Sequence, residues 1–86
     1  MDLSFFEKRG SVKLLLFMLN KPPLRFKELK KALPREATLS LRLRELEELK
    51  LIQAVPIKDK KRRFFAYNLT KEGIETAKQL KNLKNK

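Results

Sequence analysis

Lys58-Asp59-Lys60-Lys61-Arg62-Arg63 places five cations and one anion in six consecutive residues. Side chains of this type displace counterions from a polyanion and hold its phosphates. A second basic group, Lys27, Lys30, Lys31 and Arg35, lies upstream. Between the two groups runs Glu36-Ala37-Thr38-Leu39-Ser40-Leu41-Arg42-Leu43-Arg44. Ser40 and Arg44 carry groups suited to base edges. Ala37, Thr38 or Leu41 offers apolar surface to a thymine methyl. Phosphate contacts supply affinity and its salt dependence, whereas base contacts supply sequence choice. The predicted partner is therefore double-stranded DNA. Lys58, Lys60, Lys61, Arg62 and Arg63 are expected on its backbone or in its minor groove.

Other chemistries lack their residues. The chain has no His and no Cys. That excludes Ser-His-Asp and Cys-His catalysis, thiol chemistry and every His/Cys metal site. The two aspartates, Asp2 and Asp59, lie far apart in the chain. Glycine occurs only at Gly10 and Gly73, so no Gly-rich phosphate loop can form. The expectation is a binding protein with no cofactor and no metal, and not an enzyme.

The bulk charge agrees. Lys and Arg number 22 against 10 Asp and Glu, a net charge of +12 over 86 residues. This exceeds what solubility needs and predicts a polyanionic partner. A membrane partner is not expected. The longest apolar run, residues 14–19, falls far short of the roughly 20 residues that span a bilayer. A cytoplasmic, nucleoid-associated protein follows, and the charge and leucine content suit an archaeal or thermophilic source. Residues 1–86 read as one domain. A chain of this size buries only about 60% of its unfolded surface, so a homodimer would add stability.

The elements that must position these residues are legible from periodicity. Asp2 or Ser4 can cap a short helix holding Leu3, Phe5 and Phe6. Adjacent Phe5 and Phe6 cannot both fill one small core. Either one ring lies on the surface or the pair meets a partner. Ser11 is the expected cap of the next helix, with Val12, Leu15, Leu16 and Leu19 as its buried stripe. Pro22 and Pro23 end that helix, and residues 24–26 are extended. A helix of about two turns, residues 27–33, turns Lys27, Lys30 and Lys31 outward. Pro34 breaks it. Residues 36–49 form the best helix, with Leu39, Leu43 and Leu46 inward and Ala37, Ser40, Leu41 and Arg44 on the opposite face.

Some roles within this frame stay open. Arg44 either reads DNA or pairs with Glu48 one turn on. Leu41 either touches DNA or packs on a neighbour. Arg42 lies nearer the buried side and reads as structural. A strand begins near Ile52, a loop covers residues 56–62, and residues 63–69 alternate as the second strand. Thr70 caps a last helix whose apolar stripe is Ile74, Ala77, Leu80 and Leu83. The fold class is α+β and mainly helical. It is a winged helix-turn-helix (residues 27–49) with a two-stranded β-hairpin wing (52–69) and a C-terminal helix (70–84).

Arg25-Phe26-Lys27-Glu28-Leu29-Lys30, Leu43-Arg44-Glu45-Leu46-Glu47, Leu51-Ile52 and Tyr67-Asn68-Leu69-Thr70-Lys71-Glu72-Gly73 follow one another at characteristic spacing. Together they resemble the HxlR-type winged-helix regulators, within the broader MarR-like and archaeal winged-helix groups. The resemblance implies a homodimeric transcriptional regulator whose N- and C-terminal helices build the dimer. Leu3, Phe5, Phe6, Ile74, Ala77, Leu80 and Leu83 are then interface candidates. The chain departs from the family pattern. It lacks the N-terminal cysteine, so thiol sensing is not expected. Lys50 replaces a glycine after the recognition helix. Arg35-Glu36-Ala37-Thr38 replaces a more polar helix start, and the chain is shorter than most members. Residues 35–50 also carry four cations and four glutamates. A helix this neutral keeps open a DNA-coating or chromatin-architectural role. A protein-interaction module is the third reading.

Overall fold

The computed structural model describes residues 10–84. Leu3, Phe5 and Phe6 lie outside the described residues. The element order is α1 (Ser11–Met18), β1 (Leu24–Arg25), α2 (Phe26–Leu29), α3 (Glu36–Glu48), β2 (Ile52–Asp59), β3 (Arg62–Leu69) and α4 (Lys71–Lys84). This is the winged-helix arrangement, α+β and rich in helix.

Helix α1 differs from expectation at its start and in its phase. Gly10, not Ser11, is the N-cap, in a left-handed conformation at φ 88°. A Cβ there would meet only the movable end of Leu33, at 2.6 Å from Cδ2, so it is the left-handed backbone that favours glycine. Ser11 is the first helical residue, and its buried hydroxyl has no hydrogen-bond partner among the described residues. The buried residues are Leu14, Leu15, Met18 and Leu19, while Val12 and Leu16 are half-buried. A segment apolar on nearly every side carries no phase information, so spacing alone could not orient it.

The prolines deliver residues 24–25 as a third strand. Leu24 pairs with Tyr67 and Arg25 with Ala66, giving one antiparallel sheet in the order β1-β3-β2. The hairpin thus has a third strand along its inner half, beyond the two expected. Helix α2 is one turn rather than two. The Arg25 amide donates to Glu28 Oε1 at 3.1 Å and fixes its start. Residues 30–33 continue as tight turns, with Ala32 N donating to Leu29 O at 3.0 Å. Pro34 leaves no room for further helix.

Helix α3 buries Leu39, Leu43 and Leu46, as its spacing predicts. Its C-terminus closes in a Schellman motif. The Lys50 amide donates to Glu47 O at 2.9 Å and the Leu51 amide to Leu46 O at 3.0 Å. The motif forces Lys50 to φ 62°, the position where glycine is favoured. Left-handed backbone costs a side-chain-bearing residue about 1–2 kcal/mol. Glycine there loses about 0.5–1 kcal/mol through greater freedom of the unfolded chain. Lys50→Gly is therefore expected to stabilise the fold by about 0.5–1 kcal/mol, read as a higher urea midpoint. A lower midpoint would mean that the lysine side chain makes a compensating contact.

Strand β2 runs through Pro56 to Asp59, and the turn is only Lys60-Lys61. The expected loop over 56–62 is therefore mostly strand. Proline survives here because β2 is an edge strand, where a missing N–H need not break the ladder. Thr70 caps α4 as expected. Its Oγ1 accepts from the Gly73 amide at 3.0 Å and donates to Lys50 O at 2.6 Å. One hydroxyl thus ties the start of α4 to the end of α3. Leucines of α1 and α3 form the core with Leu24, Leu29, Ala32, Leu51, Ile52, Leu69 and Ala77.

Candidate nucleic-acid interface

The outward face of α3 carries Ala37, Ser40, Leu41 and Arg44, all exposed, with Thr38 half-buried beside them. They follow the helical repeat opposite the buried Leu39, Leu43 and Leu46. Leu41 is 45% exposed among the described residues. No element among the described residues buries it.

Ion pairs sort the charges of this helix. Arg42 Nη1 contacts Glu45 Oε1 at 2.7 Å in a largely buried pair. Arg42 is structural, as expected. Lys30 Nζ contacts Glu36 Oε1 at 3.0 Å across the turn between α2 and α3. The pair is exposed, so it adds little to stability, and part of the Lys30 charge is offset. Arg44 is exposed and makes no ion pair with Glu48. That leaves Arg35 and Arg44 as the cations on the outer side of α3. Lys27 and Lys31 are exposed on the preceding turn.

Two further charged residues escaped sequence reasoning, and of these only Lys13 lies beside the start of α3. Lys13 of α1 lines a shallow cavity of about 280 Å³ with Arg35 and Thr38. The signal was a single charge within an otherwise apolar helix. Arg25 stacks its guanidinium over the Phe64 ring at 5.0 Å, and its Nε lies 3.6 Å from Glu28 Oε1. Arg25 links β1 to the wing, a connection that needs the third strand to be known.

The wing is long and regular. Its register pairs Ile52 with Leu69, Ala54 with Tyr67, Pro56 with Phe65 and Lys58 with Arg63. Lys58, Lys60, Lys61, Arg62 and Arg63 are all exposed near its tip. Lys60 takes φ 50° to make the two-residue turn. Tyr67, at the wing's inner end, has its phenol pushed above the usual range by burial and then by the charge of Glu47. It therefore stays neutral at physiological pH and adds no charge to this surface.

Four large apolar side chains are exposed among the described residues: Leu41, Phe65, Ile74 and Leu83. Leu41 and Phe65 lie on α3 and the wing. Ile74 and Leu83 lie on α4. One interface candidate from the sequence needs correcting. Ala77 is fully buried in the core and cannot meet a partner, because the α1–α4 packing consumes it. Leu80 is half-buried against the same core.

Comparison with known proteins places these features. The sequence matches the model of the HxlR-like helix-turn-helix family over residues 7–86. Among solved structures, the reduced form of the transcriptional regulator YodB from B. subtilis is 25% identical. The alignment covers 95% of this chain and 80% of that one, with a TM-score of 0.79. A MarR-family regulator from Enterococcus faecalis is 26% identical over 96% of this chain and 76% of its own, with a TM-score of 0.82. An HxlR-family factor from Thermoplasma volcanium, 18% identical, shares the fold over 99% of this chain and 81% of its own, at a TM-score of 0.79. No curated protein matches the sequence.

Proposed function

This chain belongs to the HxlR-like helix-turn-helix family, and from that premise we propose that it is a homodimeric, sequence-specific transcription regulator. Helix α3 enters the major groove of double-stranded DNA and the wing follows the backbone or the adjacent minor groove. The observation that carries the reading is the outward face of α3. It presents Ala37, Ser40, Leu41 and Arg44, which makes no ion pair among the described residues, to solvent, between the flanking cations and the basic hairpin. A short polar and apolar strip bounded by cations fits base edges bounded by phosphates. Lys27, Lys31, Arg35 and the wing cations supply affinity. Lys30, paired with Glu36, adds less to the field than these do. Such a protein works in the cytoplasm, on the nucleoid.

The second copy joins through the N- and C-terminal segments in this reading. Leu83 supports it, because it is apolar and exposed near the end of α4; Ile74, nine residues earlier, lies on the other side of that helix. Leu80 and the N-terminal Leu3, Phe5 and Phe6 complete the proposed seam. Leu83→Glu is the clean test, since Leu83 is 66% exposed and the change spares the core. Sedimentation equilibrium is expected to show monomers for this variant and dimers for the native chain. A dimer that survives the substitution would move the seam elsewhere.

The proposal as a whole is tested by selecting binders from a random duplex pool and sequencing them. A twofold-symmetric motif with half-sites about 10 bp apart, or a multiple of that, is the expected product. A pool that stays random after selection would contradict sequence-specific binding.

A further inference from the structure

The wing has two unequal faces. Cross-strand partners in an antiparallel ladder point to the same side, so the register sorts the side chains. Ile52 and Leu69, both in the core, define one face. Outward along that face follow Pro56 with Phe65, then Lys58 with Arg63. The opposite face ends in Ile57 with Phe64, then Asp59 with Arg62. The first face carries two cations and no acid at its outer end. On the second, Asp59 stands across from Arg62 and offsets it. The first face is also the side on which α3 packs, through its contacts with β2 and the shared core.

Phe65 lies on the first face, one step inside its cation pair, and is 61% exposed. An exposed aromatic ring bordered by cations suits a ligand with apolar walls and an anionic rim. The deoxyribose walls of a duplex minor groove, edged by phosphates, have that profile. A second copy of this chain does not. A twofold contact through this face would bring four cations into one interface, two from each copy, with no acid at the outer end of either face to offset them.

We propose that the wing meets DNA with this face alone, and that Phe65 is a DNA-contacting residue. Its ring packs, beside Pro56, on the sugar walls of the minor groove while Lys58 and Arg63 hold the flanking phosphates. Arg62 faces away. The proposal rests on the DNA-binding reading above and assigns the wing's contact within it.

The test compares duplex binding of the native chain, Phe65→Ala, Arg62→Ala and the double variant K58A/R63A at several salt concentrations. Phe65→Ala is expected to weaken binding about tenfold, the loss of a half-buried ring. The slope of log affinity against log salt should not move, because no cation is lost. K58A/R63A should lower that slope by about two, and Arg62→Ala by much less than one. Native-like affinity of Phe65→Ala would overturn the proposal. So would a change in its sedimentation, which would put the ring in a protein contact. A photoreactive benzoylphenylalanine at position 65 gives an independent reading: crosslinking to the duplex supports the contact, and its absence overturns it. If the native chain binds no duplex, the DNA-binding reading itself fails. If only Phe65→Ala is silent, this inference fails alone.

Discussion

Replacing Lys60, Lys61, Arg62 and Arg63 together by alanine is expected to weaken binding to every duplex by about a hundredfold at moderate salt. The salt slope should fall by about three, one for each cation that faces solvent unopposed. Four charges are removed, but Arg62 has Asp59 directly across the strand pair. Its share of the field is already reduced. The loss should be nearly uniform across sequences, because phosphate contacts carry no base information. Stability should hardly change, since all four side chains are exposed and none makes an ion pair among the described residues. Anisotropy titrations at three or more salt concentrations give both numbers. An unchanged slope would remove the wing from the DNA contact and leave α3 with its flanking lysines alone.

The largest effect on folding is expected at Gly73. This residue stands in the first turn of α4, where alanine would normally be the better helix former by about 1 kcal/mol. Here a Cβ would lie 1.9 Å from Leu51 O and 2.9 Å from Leu51 C. Both atoms are backbone, so no side chain can swing aside. The same carbonyl accepts from the Thr70 amide at 3.0 Å, and Thr70 Oγ1 reaches Lys50 O. Moving α4 outward to admit a methyl would break this junction. The clash outweighs the propensity gain, and Gly73→Ala should cost about 3 kcal/mol or more. For a domain of this size that lowers the thermal midpoint by more than about 10 °C. A native-like midpoint would show that α4 docks less tightly than this account requires.

Much of this architecture is written locally. Leu39, Leu43 and Leu46 repeat at helical spacing on a helix with a polar outer face, so its orientation follows from periodicity alone. Thr70 before an apolar stripe marks its own cap, and the hydrogen bond to Gly73 fulfils it. The outward set of Ala37, Ser40, Leu41 and Arg44 is the geometric complement of the leucines. Helix α1 was not legible in the same way, because leucine, phenylalanine and methionine surround it and only packing chooses a face. The third strand was hidden as well. Leu24-Arg25 is too short to signal a strand, and its pairing with Tyr67 and Ala66 is a long-range contact. Pro56 misled in the other direction. It marks a loop by local rules, yet edge position in the sheet lets it sit inside β2. Lys30, Arg42 and Arg44 are alike in charge. Arg42 is set apart by its place beside the buried stripe, but Lys30 and Arg44 separate only through which glutamate lies within reach.

The most direct test of specific regulation is fluorescence anisotropy with the region upstream of the protein's own gene against a shuffled duplex of equal length, at two salt concentrations. The account predicts a preference of about 10³-fold or more for the native sequence, retained as salt rises. Equal and steeply salt-dependent binding to both duplexes would contradict it and favour a DNA-coating protein built on the same fold.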